Sequence, residues 1–178
     1  MQKREKIIIL GLIILIIGLL VGLTTILINN NSFFDNDKVL DGMQKYDFNS
    51  IFKMDVPKNV RFLKEWNNTE EFNFGDSYTY LDKKNKFAVS YADSPIITHE
   101  LVNSFLESQN KSGNITFKYD NDMIIAHNKK NNGKIGKTFE NCYFKERIIV
   151  QKGHTIIFIY GNDLDFIKSM ADTIEFYQ

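Results

Sequence analysis

Between Ile7 and Ile28 the chain carries no charged residue. At ~1.5 Å per helical residue that run covers roughly 33 Å, enough to cross a hydrocarbon core of about 30 Å. No other feature constrains the chain as strongly, because so long an apolar stretch is expected to be a transmembrane helix. A cleaved signal peptide would carry an apolar region of about 7–15 residues ending in a small-residue cleavage site. Here the run is longer and leaves through Asn29, Asn30 and Asn31, so the helix is expected to stay as an uncleaved anchor. Lys3, Arg4 and Lys6 precede it, and the next basic residue is Lys38. The positive-inside rule then places residues 1–6 in the cytoplasm as a short tail and everything after the span outside. The expected location is the cell membrane, single-pass, with an extracytoplasmic C-terminal domain. A prepilin would place a glycine before the run and a glutamate just inside it, whereas Glu5 precedes Ile7 and Gly11 lies within.

The span has a second pattern. Gly18 and Gly22 form a G-x-x-x-G pair, and at 100° per residue Gly11 and Thr25 each fall about 20° from Gly18. Gly11, Gly18, Gly22 and Thr25 thus line one helix stripe, which would let two backbones approach closely and predicts a homodimer through the transmembrane helix. The bilayer itself is the other expected partner.

Roughly 150 residues follow the span, the size of one domain with its own core. Removing Lys3, Arg4 and Lys6 from 22 basic residues leaves 19, and removing Glu5 from 22 acidic ones leaves 21. A domain so near neutrality has no field to gather nucleic acid, and no nucleic-acid partner is expected. Cys142 is the single cysteine. An internal disulfide is therefore excluded, and the thiol reads as a small buried side chain in a domain held by packing alone.

Residues 29–49 are polar, rich in Asn and Asp, and read as a tether; the domain is expected from 50 to 178. Phe52, Met54 and Val56 alternate and predict a strand stopped by Pro57, with a second short strand at Val60–Leu63. Tyr78–Leu81 and Lys86–Ala92 flank the polar turn Asp82–Asn85 as a hairpin. Thr98 can cap a helix running to about Ser108, with Leu101, Val102, Phe105 and Leu106 on one face. Ile115–Tyr119 and Met123–His127 predict a second hairpin around Asp120-Asn121-Asp122. After a long loop, Cys142–Gln151 and His154–Tyr160 form the strongest predicted strand pair, joined through Lys152-Gly153. Asp163 can cap a last helix in which Leu164, Ile167, Met170, Ala171 and Ile174 recur at helical spacing. Strands in adjacent runs with only two helices predict an α+β fold, one antiparallel sheet covered by about two helices.

Over residues 51–176, with FKMDVPKNVRF near the opening and GNDLDFIKSMADTIEF at the close, the chain resembles PsbP-like domains. The resemblance implies a non-catalytic scaffold used as an exported or membrane-tethered module, and it carries over no functional residue.

Several motifs suggest chemistry and fail on physical grounds. NNGKIGKT at 131–138 ends in Gly136, Lys137 and Thr138 like a phosphate-binding loop. The glycine that such a loop needs five residues earlier is Asn131, and aromatic residues follow where a helix should open. An external loop would also meet little nucleotide. Lys129, Lys130, Lys134 and Lys137 read instead as a solvated basic loop. His99, His127 and His154 share no metal-ligand spacing with one another or with Cys142, so no zinc site is expected. A nucleophilic Cys142–histidine pair would form only in space. The pairs Glu70 and Glu71, Asp120 and Asp122, and Asp163 and Asp165, with Asp35, Asp37 and Asp41, complete no calcium loop and read as turn, cap and surface residues. No motif requires a cofactor. Four N-x-S/T triplets, at Asn30, Asn67, Asn110 and Asn114, lie in predicted polar segments outside the membrane and permit glycosylation.

The functional expectation is an anchored extracytoplasmic binding or interaction module. Two alternatives stand beside it: an anchored hydrolase with groups gathered from separate loops, and an accessory subunit held in a membrane complex through the glycine stripe.

Overall fold

The computed structural model describes residues 42–67, 77–129 and 143–177. The chain divides into two compact units, Met1–Asn36 and Asp37–Gln178, and every described residue belongs to the second. The predicted span at 7–28, with Gly11, Gly18, Gly22 and Thr25, lies outside the described residues. Among these no helix is long and apolar enough to cross a membrane.

In chain order the elements are β1 (Met43–Phe48), β2 (Phe52–Pro57), β3 (Leu63–Asn67), β4 (Ser77–Asp82), β5 (Phe87–Asp93), α1 (His99–Lys111), β6 (Ile115–Asp120), β7 (Met123–Asn128), β8 (Glu146–Lys152), β9 (Thr155–Gly161), α2 (Leu164–Ala171) and β10 (Glu175–Phe176). Two sheets form where one was expected: a three-stranded sheet ordered β1-β2-β10 and a seven-stranded sheet ordered β3-β4-β5-β9-β8-β7-β6. Every pairing is antiparallel. The result is a sheet-rich α+β fold with two helices.

Met43–Phe48, which the sequence places in the polar tether, is instead a strand paired with β2 along its whole length, Met43 opposite Pro57 and Phe48 opposite Phe52. Its apolar residues, Met43, Tyr46 and Phe48, do not alternate strictly, so periodicity alone misses it. The loop that closes the hairpin is legible in retrospect. Asn49 and Ser50 both take positive φ, +55° and +57°, and the Asp47 carboxylate accepts the Ser50 N–H at 2.6 Å. The second strand predicted at Val60–Leu63 forms later, at Leu63–Asn67. Ile174 falls beyond α2 and leads into β10, which closes the small sheet on β2.

Local chemistry fixes the remaining elements, with β8 starting at Glu146 where the sequence predicts Cys142, and α1 ending at Lys111 where it predicts Ser108. The Thr98 hydroxyl accepts the Leu101 N–H at 3.2 Å and the Asp163 carboxylate accepts the Phe166 N–H at 3.1 Å, each filling one of the orphan donors at a helix start. The β6–β7 and β8–β9 hairpins both turn through two residues, and in each the first, Asn121 at φ +52° or Gly153 at φ +59°, takes the left-handed conformation that such turns need. The β4–β5 turn is held by Asp82, fully buried, whose oxygens accept the Lys84 and Asn85 N–H groups, the Asn85 amide and the Arg61 N–H.

The long connection is α1, which carries the chain from β5 in mid-sheet to β6 at the far edge. From there β7, β8 and β9 return as a meander until β9 pairs with β5. One face of the large sheet presents Tyr80, Phe87, Val89, Tyr91, Ile148, Val150, Ile157 and Ile159. They pack against Phe48, Phe52, Met54 and Val56 of the small sheet and Ile167, Met170 and Ala171 of α2 as one buried cluster. Burying side chains of this size contributes about 1.5–3 kcal/mol each, so this layer is a major part of the driving force for folding. The opposite face carries α1, tied down where the Tyr119 hydroxyl donates to Asn103 Oδ1 at 2.9 Å.

Candidate functional site

At one end of the large sheet the two-residue turns Asn121-Asp122 and Gly153-His154 lie side by side, since Met123 pairs with Val150 and Lys152 with Thr155. The start of α1 approaches from one face and the exit of α2 from the other. Together they enclose an open cleft of about 810 Å³ lined by His99, Asn103, Tyr119, Asn121, Asp122, Met123, Ile124, Ile149, Val150, Gln151, Lys152, Gly153, Ala171, Asp172, Ile174 and Phe176. The volume suits a small ligand or a short peptide segment.

Each lining group has a local reason for its position. His99 and Asn103 sit one turn apart on α1, immediately after the Thr98 cap. Lys152 reaches across to the Phe176 ring, 5.2 Å from its centroid. One wall is braced from outside by an ion pair: Lys168 of α2 meets Asp120, beside the β6–β7 turn, at 2.6 Å. Lys168 holds the Asp120 carboxyl below its usual range, and the same hydrogen bond raises the Lys168 ammonium. The cleft thus has apolar walls, Met123, Ile124, Ile149 and Ile174, rimmed by amide, hydroxyl and charged groups.

The residues singled out from sequence do not meet there as a set. Of the histidines only His99 lines the cleft. His127 lies on β7 with Nδ1 2.8 Å from Glu146 Oε1, and His154 Nδ1 lies 3.4 Å from the Ile97 carbonyl. Cys142, the stretch 131–138 and Lys130, Lys134 and Lys137 lie outside the described residues. Among those described, no group of three histidine, cysteine or acidic side chains could hold a metal ion. Asp35, Asp37, Asp41, Glu70 and Glu71 lie outside the described residues; among those described, Asp120 braces α2, Asp163 caps it, and Asp122 lines the cleft.

Of the four sequons, Asn30 lies outside the described residues and Asn67 ends β3 opposite Ser77. Asn110 is exposed in the last turn of α1. Asn114 is half-buried, its amide donating to Gln109 Oε1 at 3.1 Å. In the folded domain Asn110 presents its amide to solvent far more openly than Asn114.

Two groupings escaped the sequence reading. Asn49, in the β1–β2 loop, bridges two buried tyrosines: Tyr80 Oη donates to its Oδ1 at 3.0 Å, and its Nδ2 donates to Tyr91 Oη. Burial pushes both hydroxyls above their ordinary range, Tyr91 furthest. The second is Arg147, which is only 7% exposed on the α1-bearing face of the sheet. Its guanidinium carbon stands 5.0 Å from the Tyr160 ring centroid and 5.9 Å from that of Phe158.

No family model, no curated protein and no solved structure matches this chain.

Proposed function

We propose that this chain is a membrane-anchored extracytoplasmic binding module that engages its ligand in the cleft at the turn end of the large sheet. The observation that carries the reading is the make-up of that cleft. Asn121 and Gln151 offer hydrogen bonds beside the Tyr119–Asn103 pair and the apolar walls of Met123, Ile124 and Ile149, an arrangement suited to a ligand with both polar and apolar parts. The uncharged run 7–28 and its basic N-terminal flank support the placement.

The test is site-specific photo-crosslinking in native membranes with the full chain. A photoreactive residue at Asn121, on the cleft rim, should give a discrete adduct that disappears when Gln151→Arg obstructs the cleft. The same residue at Lys83, in the β4–β5 turn at the opposite end of the sheet, should give none. Equal adducts at both positions, or none at Asn121, would contradict the reading.

A second reading, an anchored hydrolase, has one observation in its favour. A histidine whose Nδ1–H is held by a carboxylate keeps Nε2 free to act as a base, and the His127–Glu146 pair supplies that geometry. His127 is, however, 51% exposed and outside the cleft. Alkylation of Cys142 as a function of pH separates the two. A thiol titrating well below about 8.5, and moving back on His127→Gln, would favour the hydrolase; an ordinary thiol removes it.

A further inference from the structure

Two loops at the end of the large sheet away from the cleft concentrate positive charge. Lys58 and Arg61 lie between β2 and β3, and Lys83, Lys84 and Lys86 belong to the β4–β5 turn. Hydrogen bonds hold the two loops together: Asp82 accepts the Arg61, Lys84 and Asn85 N–H groups, and the Asn85 amide donates to Asn59 Oδ1 at 3.0 Å. Asp82 is the one acidic residue in these loops, and it is fully buried. Lys58, Arg61, Lys83 and Lys84 are exposed and Lys86 is half-buried. Among the described residues none of the five forms an ion pair, whereas Lys45, Lys53, Lys111 and Lys168 all do.

Beside these loops runs β3, an edge strand of the large sheet. Its first residue, Leu63, pairs with Leu81 next to the turn, and Trp66 pairs with Tyr78. Leu63, Trp66 and Tyr78 are 46%, 56% and 38% exposed, three of the six large apolar side chains left open among the described residues. Exposed apolar groups scattered singly need no explanation, but here they gather on one edge beside a cluster of cations. The surface is amphipathic: positive at the turn, aromatic and aliphatic along the strand.

We infer that this face, from the β4–β5 turn along β3 to Trp66, docks on a layer of anionic lipid headgroups. The inference rests on the anchored placement proposed above. Headgroup phosphates complement the five cations, and tryptophan and tyrosine settle where headgroups meet acyl chains. The point of chain entry favours the same partner. The Gly42 carbonyl accepts the Lys58 N–H at 2.8 Å, so the chain joins the domain at its basic end. Residues 29–41 link Gly42 to the uncharged run, a connection of at most about 45 Å when fully extended. Nucleic acid is the weaker match, because the chain is neutral overall and has no field to gather it. Docking by this end leaves the cleft, at the other, open to a ligand. Headgroups give no protein adduct, so Lys83 stays blank in the crosslinking test.

Trp66 is the single tryptophan of the chain, so its emission reports docking without a label. The experiment places the full chain in nanodiscs of phosphatidylcholine alone or mixed with phosphatidylglycerol. In mixed discs at low salt, Trp66 emission should shift to the blue and be quenched by a lipid carrying a headgroup nitroxide. In phosphatidylcholine discs it should stay solvent-like. Both effects should vanish at about 1 M salt, where charges are screened within about 3 Å, while the chain still co-elutes with the discs. Lys83→Gln with Lys84→Gln, at two exposed positions, should weaken docking roughly 25-fold, about fivefold per charge, read from the salt titration. The same emission in both kinds of disc, a shift that resists salt, or unchanged docking in the double variant would each overturn the inference. A soluble oligonucleotide that produces the same shift in phosphatidylcholine discs would overturn it in favour of nucleic acid. Release of the chain from the discs at high salt is a separate failure: it removes the anchor, and the docking with it.

Discussion

The two faces of the seven-stranded sheet are built from different materials. Toward α2 and the small sheet, Phe48, Phe52, Phe87, Tyr80, Tyr91 and a row of isoleucines and valines interlock, with Phe48 stacked on Phe52 at 4.6 Å between centroids. Toward α1 the buried polar residues Ser77, Thr79, Ser90, Asn128 and Arg147 are interleaved with Leu81, Ala88, Ala92, Ile149, Ile156, Phe158 and Tyr160. The first face follows the rule that area removed from water drives folding. The second buries polar groups whose cost must be met one hydrogen bond at a time. Both faces bury large apolar side chains, and the α1 face differs in mixing hydrogen-bonded polar groups among them.

Substitutions that probe this contrast differ in size. Phe52→Ala, in the apolar layer, should lose about 3–5 kcal/mol of stability, read as a fall in the denaturation midpoint at unchanged slope. Gly161→Val attacks the same layer by overpacking: a Cβ added at Gly161 would come within 2.4 Å of Ile167 Cγ2. It should cost about 1–3 kcal/mol, and Ile167→Ala in the same chain should recover part of that loss.

On the polar face the predicted costs are smaller and differ in kind. Thr79 and Ser90 share a buried hydrogen bond at 2.9 Å. Thr79→Val alone should cost about 1–2 kcal/mol by leaving the Ser90 hydroxyl unpaired, whereas Thr79→Val with Ser90→Ala should be close to neutral. Additive losses in that double-mutant cycle would place the energy in packing and erase the difference between the faces.

The smallest effect belongs to the Asp120–Lys168 clasp. Asp120 is held below its ordinary value of 3.8, so the stability it lends is present above that pH and lost as pH falls through the lowered value. Lys168 is raised above 10.5, so its share is present below 10.5 and lost as pH rises through the raised value. Between those limits the clasp is intact. Asp120→Asn should flatten the acid limb of the pH–stability curve slightly and leave neutral pH nearly unchanged.

How much of this was legible depended on how local each cause is. The caps at Thr98 and Asp163, the alternation of β2 and the Asp120–Asp122 and Lys152-Gly153 turns act within four residues, and those elements appear, although α1 runs three residues past Ser108 and β8 starts at Glu146, four residues after Cys142. β10 is two residues long, too short for any period, and exists only because Phe176 pairs with Phe52 across the fold. The division into two sheets has the same origin, since it depends on β1 and β10 joining β2. The cleft gathers side chains from α1, two hairpin turns and the exit of α2, and no window of sequence contains it. Arg147 reads in sequence as the polar member of an apolar strand; its contacts with Asn128, Phe158 and Tyr160 come from β7 and β9. The uncharged run at 7–28 is the opposite case, explicit in composition alone and outside the described residues.

The central claim is that the described domain is displayed outside the membrane with its cleft open to a ligand there. Its most direct test is labelling of the full chain in intact cells with a membrane-impermeant maleimide, in a Cys142→Ser background. A cysteine at Asn121, on the exposed rim of the cleft, should label without permeabilisation, and one at Gln2 only after it. Labelling of Asn121→Cys only in permeabilised cells, or of Gln2→Cys in intact ones, would contradict the account.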